Sequence, residues 1–84
     1  MAEQALQEAL QLLHESKWAK LCILLHSLKR KSFFDWNLVK EVLFRHASNN
    51  RQLSTLATVI ECSVKVELSS CYALIPGLKD LDLD

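Results

Sequence analysis

Cys22 and His26 stand four residues apart, the spacing that brings a thiolate and an imidazole onto one helix face, where both could ligate a metal. A structural zinc site wants four such ligands. The other candidates, His14, His46, Cys62 and Cys71, follow no metal-binding spacing. Cys62 and Cys71 are nine residues apart, which on one straight helix turns their thiols to opposite sides, so they cannot bridge. Cys22 is therefore expected in the core as a small apolar residue. The three thiols are expected to be reduced and metal-free.

Other chemistry finds less support. The chain carries no GxSxG elbow, no HExxH pair and no DxDxDG calcium loop. Its only glycine is Gly77, so a glycine-rich backbone nest for phosphate cannot form. The sequence thus predicts a protein that is not an enzyme and holds no cofactor.

The scarcity of glycine also decides the fold class. Gly77 follows the only proline, Pro76, and the first 75 residues contain neither. Tight hairpins use the positive φ of glycine and the fixed bend of proline, and a sheet protein of this length needs several. Helices joined by Ser, Asn and Asp turns do not. The expected fold is all-α, a compact four- to five-helix bundle or a set of stacked αα-hairpins. Residues 1–76 are read as one helical domain, with an acidic, flexible tail over 77–84.

Four amphipathic segments would build that domain. Ala2 to His14 repeats Ala and Leu at helical spacing and ends near Glu15 and Ser16. Ser16 is expected to cap a second helix from Lys17 to about Lys31, whose apolar face carries Trp18, Leu21, Cys22, Leu25 and Leu28. Asp35 is expected to cap a third, from Trp36 to about Ala47, with Phe33 packed against Val39 or Val42. Ser48, Asn49 and Asn50 would stop it, an asparagine taking the left-handed conformation in place of glycine.

The fourth segment carries one stripe, Leu53, Ala57, Ile60, Val64, Leu68, Cys71 and Ile75. It is expected to run to about Leu68, with a restart near Ser69 and Ser70 and an end before Pro76. Alternation over Val64, Val66 and Leu68 also fits a strand, but a lone strand would have no partner. Trp18, Leu21 and Leu25 match Trp36, Val39 and Leu43 at an offset of 18 residues. Any two amphipathic helices opening with Trp would show this much, and both tryptophans are expected in the core.

Ten basic and ten acidic residues cancel overall but are segregated. Residues 1–15 sum to −3, residues 16–51 to +6 and residues 52–84 to −3. Overall neutrality argues against nucleic acid or an anionic membrane as the main partner. No apolar run exceeds five residues, Leu21 to Leu25 being one such run, far too short to span a bilayer. An odd cysteine count and no signal peptide point to the cytoplasm or nucleus.

With half of its residues apolar, the chain has more hydrophobic surface than so small a core needs. Ile23, Leu24, Leu38 and Phe44 lie off the narrowest apolar faces of their helices and, together with Phe34, are the expected partner-binding residues. Lys29, Arg30, Lys31, Arg45 and Arg51 form the expected basic patch. The function expected from this pattern is an adaptor or regulatory module that recognises an amphipathic helix or acidic peptide of another protein. A second copy of the chain is a further candidate partner. Two alternatives are a piece of a larger helical-repeat scaffold and, ranked last, a nucleic-acid-binding helical domain.

Overall fold

The computed structural model describes residues 2–31 and 35–64. They form α1 (Ala2–His14), α2 (Trp18–Lys29), α3 (Trp36–His46) and α4 (Asn50–Ser63), with no strand among the described residues. The described part of the protein is all-α, as the missing breakers predicted. Phe33, Phe34, Cys71, the expected end of the last helix and the acidic tail lie outside the described residues.

The turns are made differently from expectation. Ser16, the expected N-cap of the second helix, instead closes α1 with a φ of 57°. Its amide donates to the Leu13 carbonyl at 3.0 Å and the Lys17 amide to the Leu12 carbonyl at 2.9 Å. These are the two bonds of a Schellman motif, with serine at the position glycine usually fills. Lys17 then becomes the N-cap of α2 and makes no side-chain capping bond. The helix ends at Lys29, two residues short of Lys31.

Asp35 caps α3 as expected, its Oδ1 accepting from the Leu38 amide at 3.1 Å. Asn49 is not a left-handed stop. Its φ of −155° is extended, and its side chain accepts from the Gln52 amide, so it begins α4 rather than ending α3. Asparagine serves both ends of helices, and here the orphan donors of the following helix took it.

α4 ends at Ser63, five residues before the expected Leu68. Ser63 Oγ donates to the Ile60 carbonyl at 2.7 Å, and His26 Nδ1 lies 3.0 Å from the Ser63 carbonyl. Because a carbonyl only accepts, Nδ1 is the donor. Side chains thus meet two acceptors at the end of α4. The buried face of α4 is Leu56, Val59, Ile60, Cys62 and Ser63. Of the stripe residues the structure describes, Leu53, Ala57, Ile60 and Val64, only Ile60 is buried, because α4 packs against α2 and α3 along the adjoining arc.

The core joins all four helices. Ala9, Leu21, Cys22, Leu25, Leu43, Leu56, Val59 and Cys62 are fully buried, with Trp18 nearly so and Trp36 packed against them. Each buried Leu or Val contributes on the order of 1.5–3 kcal/mol through removal from water. Cys22 is a core residue, as its lack of metal-site company suggested.

The helix pairs that pack are α1 with α2, α3 with α4, α1 with α3, and α2 with α4. Consecutive α2 and α3 do not pack to this extent. They meet at their junction, where Lys29 Nζ sits 5.8 Å from the centre of the Trp36 ring. The chain runs the same way in α2 and α4. Trp18 shares a pocket with Arg51, Gln52 and Thr55, and eight residues later His26 reaches Ser63. α1 and α3 likewise end together, with His14 and His46 lining one groove.

Candidate interaction surface

The buried residues of α2 centre on one side of the helix, and at about 100° per residue Lys20, Ile23, Leu24 and Ser27 fall on the side opposite. Together with Glu8 and Leu12 of α1 they line a groove of about 410 Å³. Its floor is apolar. Ile23 is 41% exposed, while Leu24 and Leu12 are half-buried and rest on the core. Glu8 stands on one wall and Lys20 on the other.

Two of the expected partner-binding residues, Ile23 and Leu24, therefore share this groove. Leu38 and Phe44 are also exposed, at 50% and 37%, but on α3. Six residues apart, they diverge by about 120° around the helix and form no single face. Phe34 lies outside the described residues. Leu12 lines the groove but was not singled out in the sequence, because in α1 it is one of a run of leucines.

The expected basic residues occupy two ends of the molecule. Lys29, Arg30 and Lys31 gather where α2 ends, all exposed. Arg51 lies beside Trp18 where α2 begins, and the 12 residues between correspond to about 18 Å of helix. Arg45 is in an exposed ion pair with Glu41 at 2.6 Å, which offsets its charge. The structure does not bring the five cations onto one face.

Two further concavities differ in character. One, of about 370 Å³, lies where α1 and α3 end and is lined by Gln7, Leu10, Gln11, Leu13, His14 and His46. The other, of about 280 Å³, is polar and opens beside Ser16, Asn49 and Arg51. Among the described residues no three His, Cys, Asp or Glu side chains converge on a point where they could hold a metal. No helix among them is long and apolar enough to cross a membrane. The chain matches no protein-family model, and no curated protein or solved structure shows significant similarity to it.

Proposed function

We propose that the protein is a non-enzymatic interaction module made of two stacked αα-hairpins, α1–α2 and α3–α4, which recognises a helix or short peptide of a partner protein in the α1–α2 groove. The stacked arrangement is supported by which helices pair. An up-and-down bundle closes its ring through α2 with α3 and α4 with α1, whereas the pairs here run within each hairpin and between like helices of the two. The parallel course of α2 and α4 supports the same reading.

The observation that carries the recognition role is the apolar groove with a large exposed residue, Ile23, at its floor. Apolar grooves between helices accept the apolar side of a third helix, and burial of a few large side chains supplies most of the affinity. A location in the cytoplasm or nucleus fits thiols such as Cys22 and Cys62, both fully buried.

Affinity capture with two baits, the natural chain and Ile23→Asp, tests this reading. Polypeptides retained by the first and lost by the second are the expected result, with far-ultraviolet circular dichroism unchanged. Equal capture by both baits would sink the groove as the site. A third bait, Phe44→Asp, then reports whether α3 is the interface. The longer-solenoid alternative draws on the same helix pairing, and it predicts self-association of the purified chain by sedimentation.

A further inference from the structure

The two hairpins repeat with a period of 34 residues. The outer ends are offset by 34, Ala2 to Trp36 where α1 and α3 start and Lys29 to Ser63 where α2 and α4 end, while the inner ends, His14 to His46 and Trp18 to Asn50, are offset by 32. Burial follows the same register. Ala9 and Leu43, Cys22 and Leu56, Leu25 and Val59, and Leu28 and Cys62 are buried equivalents. The exposed residues Gln7 and Glu41, Gln11 and Arg45, Ile23 and Ala57, and Ser27 and Glu61 are equivalents too. Between the pairs Glu3/Asn37 and Arg30/Val64, only Lys29/Ser63 matches an exposed residue with a buried one.

This register provides an internal control for the groove. Where the first hairpin has Leu12, Ile23 and Leu24, the second has His46, Ala57 and Thr58. An αα-hairpin of this shape therefore packs its core without large apolar side chains at those positions. The fold does not demand them.

Charge indicates what they meet. α2 and its flanks carry Lys17, Lys20, Lys29, Arg30 and Lys31 and no acidic residue from Ser16 to Phe34. Lys20 lines the groove, and Arg30, still in the helical region as the C-cap of α2, is turned toward the same side as Ile23 and Lys20, with Lys31 exposed just beyond the helix end. The single acid in the groove, Glu8, comes from α1. Cations thus stand at both ends of an apolar floor.

Building on the interaction reading above, we infer that Leu12, Ile23 and Leu24 form a recognition surface confined to the first hairpin, and that its ligand is an acidic amphipathic helix. Leucines on one face of that helix enter the groove, and Glu or Asp on its flanks face Lys20, Arg30 and Lys31.

The test uses a fluorescein-labelled synthetic peptide of four helical turns, with Leu at i, i+4, i+7 and i+11 and the other positions Glu and Ala, read by fluorescence anisotropy. A second peptide replaces every Glu with Lys. The protein variant Ile23→Ala/Leu24→Thr gives the first hairpin the residues of the second, and Ile23→Ala alone, at an exposed site, keeps the readout should the double variant lose helicity. The expected result is binding of the acidic peptide, weakened at least tenfold by the substitutions and by exchange to the Lys peptide. Equal or tighter binding of the Lys peptide, lost in Ile23→Ala, would overturn the charge assignment and leave helix recognition standing. Acidic-peptide binding that the variants do not change would overturn the groove assignment. No binding of either peptide, with dimerisation that Ile23→Ala abolishes, would make the occupant a second copy and overturn this inference.

Discussion

Gln52 Nε2 donates to the Leu13 carbonyl at 3.1 Å, a bond between the start of α4 and the turn that ends α1. The same carbonyl accepts the Ser16 amide of the Schellman turn, and Gln52 Oε1 accepts from the Ser48 amide at 2.6 Å. One side chain thus joins the turn between α1 and α2 to the turn between α3 and α4.

Gln52→Glu keeps an acceptor for Ser48 but has no donor for Leu13, whereas Gln52→Ala loses both. Net hydrogen bonds of this kind contribute roughly 0.5–1.5 kcal/mol each. The expected order of stability in urea unfolding is the natural chain, then Glu, then Ala. A Glu variant as stable as the natural chain would show that the bond to Leu13 contributes nothing.

His26 makes the matching tie at the other end of the α2–α4 pair, through Nδ1 to the Ser63 carbonyl. His26→Ala is expected to lower stability by about 1 kcal/mol, because a partly buried acceptor loses its donor. His26→Asn places an amide nitrogen near the position of Nδ1 and is expected to recover most of the loss. Gln, whose amide lies one bond further out, is not. Equal behaviour of the Asn and Ala variants would contradict this.

Ser16 holds a positive φ that costs a residue with a Cβ on the order of 1–2 kcal/mol, and its amide and that of Lys17 already satisfy the carbonyls of Leu13 and Leu12. Ser16→Gly relieves that strain but adds freedom to the unfolded chain. The expected balance is a stabilisation of up to about 1 kcal/mol, read from the midpoint of thermal unfolding. A lower midpoint would mean that the serine side chain holds the turn.

Much of the fold was legible because helix formation is local. The apolar spacing of residues 2–14 and 36–46 marked α1 and α3 within a residue or so, and Asp35 before Trp36 was a readable cap. Ser16 and Asn49 were harder. Each residue type serves either end of a helix, and which end it takes depends on φ, 57° for Ser16 and −155° for Asn49, a quantity that composition does not fix. The contact of His26 with the last carbonyl of α4 spans 37 residues, which no local pattern reveals.

The groove was half legible. Ile23 and Leu24 stood out as apolar residues off the narrow face of their helix, while Leu12 did not, since its role depends on how α1 lies against α2. The 34-residue register was present in the sequence but hidden. Pairs such as Ala9 with Leu43 and Cys22 with Leu56 share burial and not residue type. The more visible offset of 18, tryptophan on tryptophan, joins α2 to α3, which do not occupy equivalent places.

The groove itself is tested most directly by nuclear magnetic resonance. Titrating the acidic helical peptide into the isotopically labelled chain is expected to shift the amide and methyl signals of Leu12, Ile23 and Leu24, with those of Leu38 and Phe44 unmoved. Shifts centred on Leu38 and Phe44, or none near Ile23 at saturating peptide, would contradict the account.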